Sequence, residues 1–330
     1  MTRRLVPFNL TLAIVASLVA AGCTAVPEES ASFDRTLSVT GPVRLDLSNG
    51  SGSVRITGSV TGQVHIHGDI RRRTFFFGRT YSAKEMADNP PIEQQGNVIR
   101  IGEQGRRMFS TGIGSTNLRI DYVIEVPKET EVETRVGSGS QTVRNVRGPV
   151  KLVGGSGGVT ADSVQEDVQI VSGSGSIDAS GVGGEFRGIA GSGRVSVRNI
   201  HGDLRVTTGS GSISVARPDA RVNAKTGSGS ITVQGASDSL TAMAGSGSLT
   251  IDGNPSPSSF WELRTGSGSV NLGVPADGSF RLSAVARSGR IQADIPIVIE
   301  EQSRRELRAR VGSGAARIEV QTGSGSIRIQ

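Results

Sequence analysis

The chain has 330 residues, 46 of them Gly, with 4% aromatics and a formal net charge of +6. So little aromatic mass leaves a core of aliphatic side chains, and the repeat described below makes one elongated domain the expectation rather than several globular ones. The charge is mild for this length and no basic stripe carries interleaved aromatics, which argues against nucleic acid as a partner.

Residues 1–22 read as an export signal. Arg3 and Arg4 form a basic start, and Leu10 to Ala21 is almost wholly apolar but short for a membrane span. The run ends Leu18-Val19-Ala20-Ala21-Gly22-Cys23, which resembles a bacterial lipoprotein signal peptide, with Ala20 where such signals usually carry Leu. The resemblance implies cleavage before Cys23, lipidation of Cys23 and a membrane partner reached through that anchor. The alternative is ordinary secretory cleavage that leaves a free thiol. Cys23 is the only cysteine, so no disulfide forms within the chain. Residues 23–36, rich in Thr, Pro, Glu, Ser and Ala, read as a flexible tether.

The remainder, 37–330, reads as one repeat domain with inserted loops at about 69–97 and 102–116. Leu45 and Leu47 precede Gly50-Ser51-Gly52, Val54 and Ile56 follow, and Val64 and Ile66 close the first coil. His65 and His67 alternate with Val64 and Ile66 and so face outward; two imidazoles without a nearby acidic or Cys partner make a weak metal site. The first insertion carries Arg71-Arg72-Arg73 and Phe75-Phe76-Phe77, with a short helix near 83–87. Three Phe beside three Arg cannot all point inward. They form either a flap packed on the solenoid or a contact surface for a membrane or partner.

From Gly137 the pattern is regular. Gly-Ser-Gly triplets start at 137, 155, 173, 191, 209, 227 and 245, each 18 residues after the last. A fixed period near 20 residues marks stacked supersecondary units. Val159, Ile177, Val195, Ile213, Ile231 and Leu249 share one column, Val143, Ala161 and Val197 another; Val150, Val168, Phe186 and Leu204 share a third, and Leu152, Ile170 and Val206 a fourth, broken by Gly188. Each coil thus holds two short segments of period-2 alternation, the mark of half-buried strands. Gly is expected at the tight corner because it reaches φ > 0 without steric cost. About five inward apolar side chains stabilise a coil by roughly 1.5–3 kcal/mol each. Fixing the backbone costs about 1–2 kcal/mol per residue. A lone coil therefore does not fold and needs neighbours. The expected fold is all-β, a parallel β-solenoid (β-helix) with coils of about 18 residues, right-handed by the crossover rule. After Gly245 the spacing stretches to 21 at Gly266 and Arg287 and 25 at Gly312, with Leu307 and Ala309 read as a further rung. The strand Ile327-Arg328-Ile329 is expected to end the stack with an open edge.

The Gly-Ser-Gly-Ser-Ile-x-Val repeat, preceded by Val-Ile-Glu-Val-Pro-Lys at 123–128, resembles the bacterial "putative adhesin" family of β-strand repeat proteins, DUF4097. The resemblance implies a parallel β-helix on an exported protein. Some members are linked to cell-envelope stress systems, and the family supplies no catalytic residues.

Enzymatic motifs fit poorly. A calcium roll needs ranked carboxylates, but the matching column of Thr160, Asp178, Ser196, Ser214 and Thr232 holds one acid. No Lys-Ser or Lys-Thr follows any Gly loop at phosphate-binding spacing. Outward Thr142, Thr160, Asp178, Ser196, Ser214, Thr232 and Thr250 form a nearly neutral ladder unsuited to general acid–base work. Lys151, Arg187 and Arg205 share one outward column, read either as an ordinary solubilising surface or as a basic strip that suits acidic glycans. No cofactor is implied. The leading expectation is a lipid-anchored envelope protein with an adhesin-like or structural role, meeting a glycan or an envelope protein. An envelope-stress sensor or modulator comes second, and a polysaccharide-active enzyme third.

Overall fold

The computed structural model describes residues 28–73, 82–102 and 118–330. Two sheets, of 14 and 15 strands, enclose one continuous core of aliphatic side chains. Each regular coil gives one strand to each sheet, as Ile213–Pro218 and Val222–Thr226 do. Neighbouring coils pair in parallel and in register. Val159, Ile177, Val195, Ile213, Ile231 and Leu249 are direct partners down one stack, and all are buried. The parallel β-solenoid expected from the repeat is the fold, with Phe186 filling the space that Gly188 leaves: a Cβ on Gly188 would lie 2.9 Å from the Phe186 ring.

The two corners work differently from the sequence expectation. Apart from the Gly312-Ser313-Gly314 turn near the C-terminal end, a positive φ at the Gly-Ser-Gly corner occurs only in the first coils, at Gly52, Gly139 and Gly157. Further along, Gly is required because the backbones stack too closely for any side chain. A Cβ on Gly193 would lie 1.8 Å from the Gly175 carbonyl oxygen, and one on Gly211 would lie 1.9 Å from that of Gly193. The left-handed residue belongs to the looser corner, at Asn145, Ser163, Gly181, Asn199, Arg217 and Gly235. It adds one residue to the alternation, so the next side chain turns inward. Val146, Val164, Val182, Ile200, Pro218 and Ala236 form an additional buried column there.

Both ends depart from simple stacking. The segment read as a tether contributes a strand, Glu28–Ser38, antiparallel to Gln63–Arg73. One apolar residue in this polar stretch accounts for the correction. Phe33 is 4% exposed, lies over Gly68, and meets Tyr122 edge to face at 6.3 Å. Gln63–Arg73 in turn pairs antiparallel with Leu118–Pro127. The first insertion therefore starts later than position 69, since Arg71, Arg72 and Arg73 extend a strand. The expected helix is Ala83–Asp88, held by a capping box between Ser82 and Glu85.

At the far end the last coil does not terminate the stack. Ala316–Thr322 lies between Phe260–Thr265 and Phe280–Ala286. Ile327–Ile329 lies between Val270–Gly273 and Ile291–Ala293. The expected open edge at Ile327–Ile329 is thus paired on both sides. Leu307 and Ala309 are buried, but in Glu306–Val311, which runs antiparallel to Phe280–Ala286 and, with Val298–Gln302 antiparallel beyond it, caps the sheet rather than forming a rung. The N-terminal end backtracks in the same way. Val43–Ser51 is flanked by Val98–Ile101 and Thr130–Ser138, so the chain steps outward and then returns to the inner side.

Candidate functional site

Alternation that buries one face of each strand leaves the other in ranks along the stack. On the first sheet Thr142, Thr160, Asp178, Ser196, Ser214, Thr232 and Thr250 are direct partners from coil to coil. Beside them Asp162 accepts a hydrogen bond from Ser180 Oγ at 2.6 Å. The column is hydroxyl-rich, and the one beside it carries Arg144, Asp162 and Arg198.

On the second sheet one outward column reads Glu133, Lys151, Gln169, Arg187, Arg205 and Asn223. The three cations read from the sequence therefore share a column, with Gln169 between the first two. Their surroundings differ. Lys151 Nζ is 3.1 Å from Glu133 Oε1. The Lys151 hydrogen bond holds the Glu133 carboxyl below its ordinary range; partial burial opposes the shift, and Arg135 and Arg44 reinforce it. Arg205 Nη1 donates to Glu185 Oε1 at 2.9 Å. Arg187 has no carboxylate partner among the described residues. A mixed-charge hollow of about 340 Å³ runs beside Glu131, Glu133, Lys151, Asp167, Glu185 and Arg187.

Sequence reasoning missed Lys225. It lies on the next outward column, two residues beyond Asn223, and shares a cleft of about 220 Å³ with Arg187, Arg205, Thr207 and Asn223. Its parity along the strand was the available signal, since Asn223 and Lys225 both alternate with the buried Val222, Ala224 and Thr226.

The remaining candidates separate. Arg72 Nη1 lies 3.4 Å from Glu29 Oε2, which fastens the N-terminal strand. Phe75, Phe76, Phe77 and Cys23 lie outside the described residues. His67 is better provided with acids than expected: Nδ1 is 2.8 Å from Asp34 and Nε2 is 3.4 Å from Asp69. The Asp34 hydrogen bond raises the His67 pKa against the opposing effect of burial, and Asp69 reinforces it. His65 instead meets the Thr36 hydroxyl at 3.0 Å. Among the described residues no three His, Cys, Asp or Glu side chains gather as a metal site, and no helix is long and apolar enough to cross a membrane.

Solved structures similar to this chain include a "putative cell adhesion protein" from Clostridium sporogenes, 15% identical over 91% of this chain and 99% of that one, with a TM-score of 0.25. A "putative adhesin" from Bacteroides fragilis is 12% identical over 91% of this chain and 97% of its own, with a TM-score of 0.31. No curated protein matches. The family model described as Toastrack DUF4097 matches residues 78–330, the span holding every regular coil and both outward faces. The chain belongs to the Toastrack DUF4097 family.

Proposed function

We propose that the chain is a non-enzymatic exported lipoprotein, anchored through Cys23, whose solenoid presents a binding surface at the cell envelope in an adhesin-like or structural role. The observation that supports this reading is the register of the outward columns. Thr142 to Thr250 repeat a hydroxyl on every rung but that of Asp178, and rungs recur at about 4.8 Å. Such an array offers the same contact many times to a ligand that itself repeats, and weak contacts then add through multivalency. Catalysis instead gathers unlike groups at one point and perturbs their pKa values.

The test is binding of the purified mature protein to isolated envelope polysaccharides and to intact cells, with turnover followed in parallel. Saturable binding without product release is the expected result. Glycan cleavage would move the chain to the enzyme class. Capture of one defined protein by cross-linking, with no glycan affinity, would favour the stress-sensor role. Metabolic labelling with a palmitate analogue tests the anchor: label is expected on the natural chain and absent from Cys23→Ala.

A further inference from the structure

We propose that the cleft formed by Arg187, Arg205 and Lys225 binds the acidic groups of a linear acidic polysaccharide lying along the stack. This rests on the reading of the face as a binding surface and names its ligand class.

Charge is the first argument. Arg187 and Arg205 are direct partners on adjacent strands, where like charges destabilise the sheet. Lys225 adds a third cation on the following rung. All three side chains are exposed. Glu185 answers only Arg205, at 2.9 Å. Arg187 and Lys225 have no ion-pair partner among the described residues, so both cations are free to meet a ligand, although acids line the hollow on the other side of Arg187. A bound anion relieves the repulsion, and the guanidinium fork suits the two oxygens of a carboxylate or the several oxygens of a sulfate.

Shape and polarity supply the second argument. Between the cations lie Thr207 and Asn223, a hydroxyl and an amide able to meet sugar hydroxyls, with the half-buried Ile189 on the floor. Lys225 lies one column to the side of Arg187 and two rungs along the stack, a rise of about 10 Å at the usual strand spacing. That is close to the length of a disaccharide unit in an extended glycan, so one acid per disaccharide meets a cation at each step. An extended peptide turns successive side chains to opposite faces, so its same-facing acids recur about every 6.6 Å, out of step with a rise of about 10 Å.

The experiment measures binding of the full mature chain to labelled hyaluronate and desulfated chondroitin, each with one carboxylate per disaccharide, with neutral dextran and poly-glutamate as comparisons. The expected result is binding to the acidic glycans that weakens with salt. Arg187→Ala with Lys225→Ala should weaken it about tenfold or more, while Arg308→Ala, at the capped end, should leave it unchanged. Both cleft residues are exposed, and an unaltered melting profile confirms that the variant folds. Equal binding of poly-glutamate overturns the glycan class. Equal binding of neutral dextran, or an unaffected double variant, overturns the cleft while leaving the envelope-surface reading in place. No binding to any of these glycans or to isolated envelope material overturns both.

Discussion

The hydroxyl of Thr226 donates to the carbonyl of Gly211, one coil back, at 3.0 Å. It also accepts from the Gly229 amide of its own corner at 3.1 Å. One buried side chain thus closes a turn and ties it to the turn before. Thr265 and Thr322 repeat the arrangement, and Ser172 serves its own turn alone, bonding both the amide and the carbonyl of Gly175. Replacing Thr226 by Val keeps the shape and leaves a buried amide and carbonyl short of a partner. A loss of about 1–3 kcal/mol is expected in urea unfolding. Thr226→Ser should recover most of it. A Val variant as stable as the natural chain would show that the hydroxyl contributes nothing.

Glycine at the same corner answers a different demand. A Cβ on Gly211 would stand 1.9 Å from the carbonyl oxygen of Gly193, and both atoms belong to backbone held in register. Gly211→Ala should therefore force the coils apart, at about 3 kcal/mol or more. Gly50, the first Gly of an earlier corner, has nothing within 4 Å of the added carbon. Gly50→Ala should stay within about 0.5 kcal/mol of the natural chain. Thermal unfolding of the two variants side by side separates close stacking from chain entropy, which would penalise neither strongly.

These two residues mark how far the sequence could be read. The 18-residue period exposed the apolar columns that keep the alternation, such as Val195, Ile213 and Ile231, but not the column of Val146, Val164, Val182 and Ile200, which breaks it. The left-handed column was hidden. It is filled by Asn145, Ser163, Asn199 and Arg217 as well as by Gly, and no single residue type announces it. The buried hydroxyls of Thr226, Thr265 and Thr322 were not legible either, since their burial depends on partners one coil away. The order of stacking at the ends was also illegible: spacing gives the number of rungs and not which rung lands beside which. On the outward face the cations of one column were legible from period alone, whereas the cleft needed the neighbouring column to bring Lys225 to Arg187.

Acid stability should report on Asp121. Its carboxylate accepts from the Ser53 amide at 2.6 Å and the Ser53 hydroxyl at 2.7 Å, and Arg119 lies 3.2 Å away. Partial burial alone would raise its pKa, but the hydrogen bonds from Arg119 and Ser53 outweigh that and lower it from 3.8 to about 2. A depressed folded pKa gives stability that is present above the ordinary carboxylate pKa and is lost as pH falls towards the folded value. The natural chain should therefore lose stability between about pH 4 and pH 2 relative to Asp121→Asn. Denaturant midpoints for the pair across that range give the difference directly. Parallel curves would mean that the carboxylate carries no net stabilisation.

The backtracked C-terminus makes a sharper demand. Because Ala316–Thr322 and Ile327–Ile329 fill the space between two earlier coils, the coil of Phe280–Ala286 and Ile291–Ala293 has no direct strand contact with Phe260–Thr265 or Val270–Gly273. Its strands bond inward only to the last rung. Deleting residues 316–330 should therefore do more than shorten the rod by one coil. It should release 280–311 as a unit, with Trp261 and Leu263 losing the cover of Ile318 and Val320. Amide exchange followed by mass spectrometry should show lost protection over 280–311 and retained protection over the coils from Gly137 to Ser248, whose neighbours are unchanged. The alternative is that the released coil slides down by one rung and pairs with Phe260–Thr265, which its similar alternation of Phe280, Leu282 and Ala284 would allow. Protection over 280–286 in the shortened chain would reveal that slip. It would show that the order of rungs is set by the presence of the last strand and not by recognition between particular side chains.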